Sequence, residues 1–164
     1  MSRPKVEVKV RDTGWVAFFK NLKDMRDRRV RVGVLSDTDK GGLHVPGGEL
    51  TLAELAGVLE FGTEDGRIPE RSVVRSTFDE KREELAKLGS NLMGQVLDGK
   101  MDTARALGLL GAKAAAEMKN KITEGSGVPP PNAPSTVERK GSDRPWVDTG
   151  RLLNAFTWSV EEGE

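Results

Sequence analysis

The feature that most constrains this chain is a repeated change of hydrophobic period along its length. Residues 5–10, KVEVKV, and 29–35, RVRVGVL, alternate valine with charged or small residues. Val6, Val8 and Val10 therefore share one side of a half-buried strand, and Val30, Val32 and Val34 share one side of another. Between them Trp15, Phe18, Phe19, Leu22 and Met25 recur at spacings of three and four, which draws one apolar stripe on a helix capped by Asp12 or Thr13. Three of the eight aromatic residues lie in this helix, so it is expected to anchor the core. Further on, Val74, Phe78, Leu85, Leu88, Leu92 and Val96 form one stripe on a long helix beginning near Arg71. After a break at Asp98-Gly99, a second long helix runs from about Met101 to Thr123. Its stripe is small (Ala104, Leu107, Gly111, Ala114, Met118, Ile122), and Gly108, Gly111, Ala112 and Ala115 allow a neighbouring helix to approach closely. Both periods in one chain of 164 residues predict a single α+β domain spanning 1–164. Its expected core is a small mixed or antiparallel sheet packed by two long helices and shorter ones.

The punctuation between these segments is informative. Thr51 and Glu54 make a capping box in front of Leu52, Leu55 and Leu59, and Gly62 suits a left-handed helix stop. Ile68 is extended because it precedes Pro69. Two stretches resist regular structure. Residues 37–50 lie in a run with four Gly and one Pro, and 125–145 hold five Pro and three Gly. Long segments of this kind are either disordered or working loops, so 37–50 and 125–147 are expected to be loose. Asp148 or Thr149 then caps a short helix, and Thr157–Val160 alternates as a final strand.

The composition removes most chemistries. There is no Cys, which excludes disulfides, thiolate metal sites and a cysteine nucleophile, and the one His excludes a multi-histidine site. The opening residues carry no apolar h-region, and no apolar run reaches the roughly 20 residues of a membrane span. A soluble intracellular protein with no cofactor and no membrane contact is the expected class. His44 sits in a Gly-rich loop without a rigid shell, so a contact-making role outweighs catalysis. Glu80, Glu83 and Glu84 would serve a carboxylate-metal nuclease, but Glu83 and Lys87 at i, i+4 favour a salt-bridged outer face. No phosphate-binding loop and no Gly-x-Ser-x-Gly elbow is present. No catalytic or metal-ligating residue is therefore assigned.

Charge is balanced in sum, with 26 basic and 26 acidic residues, which argues against a dedicated nucleic-acid binder. Along the chain it is polarised. The first 31 residues hold ten basic side chains against four acidic ones, and the last four residues are EEGE. Such asymmetry suits unlike surfaces meeting head to tail, although a solvated charged face explains it as well.

Two stretches together resemble a known family. The first is Leu55-Ala56-Gly57-Val58-Leu59-Glu60-Phe61-Gly62-Thr63, followed by Ile68-Pro69-Glu70-Arg71-Ser72 and Phe78-Asp79-Glu80. The second runs from Ser135-Thr136-Val137-Glu138-Arg139-Lys140-Gly141 through Asp143-Arg144-Pro145-Trp146 to Val147-Asp148-Thr149-Gly150-Arg151-Leu152. In this order they resemble the signatures of tailed-phage neck proteins, the virion morphogenesis or tail-completion family. Val73-Val74 stands where that pattern has Phe-Leu, Trp146 replaces a Leu, and Ala133-Pro134 precedes Ser135 in place of Leu-Ser-Pro.

The resemblance implies a structural virion protein of the neck without a catalytic centre. It would form a ring, usually of six copies, between the head connector and the tail tube. Partners would be a head-closure or adaptor protein and a tail terminator or tube protein, with non-specific contact to DNA in the lumen as a further option. The alternatives are a tail terminator or minor tail protein and, further off, an intracellular regulatory binding module. For the joining role, Leu43, His44, Val45, Val128, Pro129, Pro130, Arg139, Lys140 and Trp146 are the candidate partner-contact residues. Val128, the prolines and Trp146 serve as apolar anchors, in loops that order on docking.

Overall fold

A computed structural model describes residues 14–45, 47–124 and 128–163. The valine alternation at 5–10 and the caps proposed at Asp12 or Thr13 lie outside the described residues. Helix α1 (Trp15–Arg26) leads into strand β1 (Arg28–Val34). Helices α2 (Leu52–Phe61), α3 (Val74–Glu80), α4 (Arg82–Leu97), α5 (Thr103–Thr123), α6 (Pro134–Lys140) and α7 (Arg151–Ala155) follow, and strand β2 (Phe156–Glu162) closes the chain. Among the described residues the fold is α+β, with an antiparallel sheet in the order β1-β2. No helix among them is long and apolar enough to cross a membrane.

The sheet joins the two ends of the described chain. Val30 pairs with Val160, Val32 with Trp158 and Val34 with Phe156. The basic and acidic ends meet in the same ladder: Arg28 faces Glu162, and Arg29 and Arg31 both reach the Glu161 carboxylate. Part of the charge polarisation is thus consumed within one chain. Helix α5 lies on this sheet. A Cβ at Gly111 would come within 2.7 Å of Val30 Cγ2 and 2.8 Å of Trp158, so the missing side chain admits the sheet. The expectation that the small residues of this helix admit another helix is corrected at Gly111, where the close neighbour is a strand pair.

The main core gathers Leu52, Val73, Met118, Ile122, Val128, Trp146, Leu152, Ala155 and Phe156. A smaller cluster holds Leu92, Val96 and Ala106, with Met25, Leu88 and Leu110 against it. The stripe of α5 is buried from Ala106 through Gly111, Ala114 and Met118 to Ile122, so Ala106 takes the place expected of Ala104 and Leu107.

Four further expectations are corrected. The single long helix from Arg71 is two, α3 and α4, divided at Lys81 (φ −102°, ψ 11°), and Phe78 turns outward. Helix α1 buries no residue at all: Trp15, Val16 and Phe19 are 62%, 69% and 59% exposed. Its aromatics pack on one another, Trp15 stacking on Phe19 with ring centres 6.0 Å apart. An amphipathic stripe fixes which face of a helix is apolar, not whether the rest of the chain covers it. Third, the Pro-rich stretch contains α6, with Pro134 in its first turn and Gly141 at its C-cap. Fourth, α7 is capped by Gly150 at φ 76°, not by the side chain of Asp148 or Thr149.

Candidate functional site

Helix α2 supplies the floor of the site. Thr51 and Glu54 form the expected capping box, with the Thr51 hydroxyl accepting from the Glu54 amide and the Glu54 carboxylate accepting from the Thr51 amide at 2.8 Å. Residues 41–45 are held against this helix start. The Leu52 amide donates to the Leu43 carbonyl at 2.8 Å, the Ala53 amide to Gly41 at 3.0 Å, and the Val45 amide to Leu50 at 2.8 Å. His44 pairs with Thr51 in an isolated bridge, and its Nδ1 lies 2.7 Å from the Glu49 carbonyl. These hydrogen bonds lie in the segment whose composition predicts a loose loop and lead it into α2.

The helix stops at Gly62, whose φ of 74° and ψ of −174° suit glycine but differ from the left-handed helical stop expected. A Cβ there would lie 2.8 Å from the Glu70 amide nitrogen. The chain then folds back: Thr63 and Ile68 bond through their main chains at 2.9 Å, and the Arg71 amide donates to the Leu59 carbonyl at 2.9 Å.

Glu60 locks this turn. It is only 5% exposed, and its carboxylate accepts from the Ser72 hydroxyl at 2.7 Å and the Val73 amide at 2.7 Å. The Val74 and Arg75 amides donate to it as well, at 2.9 and 3.0 Å. Those amides open α3, so Glu60 caps a helix more than ten residues downstream. Burial would raise the carboxyl pKa. The amide donors from Arg75 and Val74, the Ser72 hydroxyl and the Val73 amide outweigh it and hold the group below the ordinary carboxylate range.

Arg71 is the hinge between the two halves of the site. Its side chain is 6% exposed; Nε donates to the Pro130 carbonyl at 2.8 Å, and the guanidinium also reaches the Pro131 carbonyl at 3.2 Å. The Trp146 indole donates back to the Arg71 carbonyl at 3.0 Å, and its ring lies 5.7 Å from Phe156. Trp146 holds φ at +65°, an uncommon conformation for a bulky residue, and burial on Phe156 supports it there. Residues 128–147 are therefore folded onto the core through Val128, Trp146 and the carbonyls that Arg71 engages.

Between α2 and this segment lies a groove of about 530 Å³. Its floor is apolar, formed by Leu52, Leu55, Leu59, Leu152 and Trp146. Its lining includes five cations, Arg67, Arg71, Arg139, Lys140 and Arg151, against one carboxylate, Asp148; of these Arg71 is buried and Arg67 pairs with Asp65 at 3.1 Å. Burial lowers the Lys140 amine; Asp148 opposes the shift, while Arg71 and Arg139 add to it. Burial likewise lowers Arg71. Among the described residues no acid forms an ion pair with Arg139 or Arg151, and the buried Asn132 amide nitrogen in the groove wall has no hydrogen-bond partner.

Five of the nine sequence-predicted contact residues meet in this groove: Val45, Pro130, Arg139, Lys140 and Trp146. Leu43, His44 and Pro129 are exposed outside it, and Val128 is buried in the core. Sequence reasoning missed Arg67, Arg71 and Arg151 as one cationic group. It also missed the structural role of Glu60, whose only signal was its place in the Glu-Phe-Gly-Thr stretch. The three glutamates weighed as a metal site are exposed on the surface of α3 and α4. Glu80 pairs with Lys121, and Glu84 with Lys113 at 2.7 Å and Lys81 at 3.6 Å. Compared with known proteins, the chain matches no family model, no curated protein and no solved structure.

Proposed function

We propose that this chain is a structural virion protein of the phage neck, a tail-completion or head–tail joining protein that forms a ring between the head connector and the tail tube. One observation carries the reading. The two stretches that resemble the neck-protein signatures, 55–80 and 135–152, are far apart in sequence and meet as one unit. Glu60 caps α3 within the first stretch, and the Trp146 indole of the second donates to the Arg71 carbonyl of the first. The resemblance therefore falls on residues that build a shared framework and its groove, as a structural family's motif does. A groove with an apolar floor and a charged rim is suited to holding a neighbouring protein.

The test is removal of the gene from its phage and electron microscopy of the lysate. Full heads beside unattached tails of normal length are the expected result. Tails of uncontrolled length would make the protein a terminator, and unchanged infectious particles would overturn a neck role altogether.

A further inference from the structure

We propose that the groove between α2 and residues 130–152 binds an extended acidic peptide segment of a partner protein, one whose carboxylates alternate with apolar side chains. This deepens the neck reading and rests on it only in taking the partner to be another virion protein. Three observations point to that occupant. The lining holds five cations and one acid; Arg67 pairs with Asp65 and Arg71 is engaged by the Pro130 and Pro131 carbonyls, while neither Arg139 nor Arg151 has an ion-pair partner among the described residues. Two exposed guanidinium groups without an acid partner attract carboxylates and grip them in two-pronged fashion. The floor is apolar, so the ligand must also offer apolar groups. The Asn132 amide nitrogen is a buried donor without a partner, which suits a carbonyl or carboxylate oxygen arriving from outside.

Nucleic acid fits less well. Single strands are held by aromatic faces open for base stacking, whereas Trp146 is buried against Phe156 and its indole N–H is already used. Asp148 would also meet a phosphate backbone with a like charge. In a peptide the same carboxylate can accept a backbone amide. The volume of about 530 Å³ lies within the range of roughly 300–1,000 Å³ typical of ligand pockets.

The experiment uses the full chain and a fluorescein-labelled, N-acetylated octapeptide alternating glutamate and leucine, with binding read by anisotropy at low salt. Saturable binding is expected, weakened at least tenfold in the double variant Arg139→Glu, Arg151→Glu. Both positions are exposed, so the fold should tolerate the change. Lys20→Glu with Lys23→Glu on α1, outside the groove, should leave binding unchanged. Competition with a glutamate–serine octapeptide and with an oligothymidylate should each be at least tenfold weaker. Absence of saturable binding, equal competition by either polyanion, or indifference to the Arg139 and Arg151 changes would each overturn the proposal. The gene-deletion phenotype is independent. Unattached tails without peptide binding would remove only the groove's assignment, and peptide binding with infectious deletion particles would remove only the neck role.

Discussion

Helix α1 and the segment 128–147 are opposites in sequence and exchange places in the fold. The first has three aromatic residues on a clean helical stripe, and the second is rich in proline. Yet α1 leaves Trp15 and Phe19 mostly in solvent, while the Pro-rich segment sends Val128 and Trp146 into the core at 3% exposure each. The difference lies in what each segment can be tied to. Arg71 reaches Pro130 and Pro131, whose carbonyls are open because proline segments make no ladder of their own. In α1 every interior backbone group is already satisfied by the helix. Its long-range hydrogen bonds run through polar side chains, Asn21 to the Val96 carbonyl at 2.8 Å and Asp24 to Thr103. Apolar content alone did not decide burial; available partners did.

This contrast can be broken most directly at the tryptophans. Trp146→Ala should cost about 4 kcal/mol, read as a fall in the urea midpoint, because it empties a packed site and orphans a hydrogen bond. A loss below about 1 kcal/mol would mean that the segment is not docked.

Glu60→Gln should cost about 2 kcal/mol by weakening charge-assisted bonds to the amides that open α3. The sign with pH follows from its lowered pKa. Glu60 contributes its full stabilisation above the ordinary value of 4.5 and loses it as pH falls through the lower folded value. The variant's deficit, measured by thermal unfolding across pH 7 to 3, should therefore shrink on the acid side. A deficit independent of pH would detach Glu60 from the cap.

Gly111→Ala should cost about 1–3 kcal/mol, since its methyl would press on Val30 and Trp158 where α5 meets the sheet. Chemical denaturation would show it, and a neutral result would place the helix farther from the strands.

The smallest effect belongs to the other half of the contrast. Trp15→Ala should change stability by no more than about 0.5 kcal/mol, as an exposed side chain should. A loss approaching that of Trp146→Ala would show that α1 is covered in solution and would abolish the distinction between the two regions.

Much of the local structure was legible because it depends on neighbours in sequence. The Thr51–Glu54 box sets the start of α2 through bonds spanning three residues, and glycine alone fits the stop at Gly62. The valine alternation at 30–34 reads correctly as strand β1, and the final strand was expected at 157–160 within the observed Phe156–Glu162. The site was legible only in pieces. Arg139 and Lys140 stood out beside the Pro-rich segment, but Arg67 and Arg71 join them only because the chain folds back after Gly62. Glu60 looked like an ordinary helical acid, since nothing in its own turn reveals that the α3 amides arrive from thirteen to fifteen residues away.

The sequence by itself determined the α+β class, the capped helix α2, the extent of α5 and the strand expected at 29–35 and seen as β1. Each follows from periodicity and caps, whose physics acts over one or two turns. Tertiary structure alone decided that α1 stays exposed, that the helix after Arg71 breaks at Lys81, and that a proline-rich segment becomes core. It also decided that cations from separate segments gather around one apolar groove. Burial and charge clustering depend on which surfaces meet in space, and that choice is settled by competition among all the segments at once.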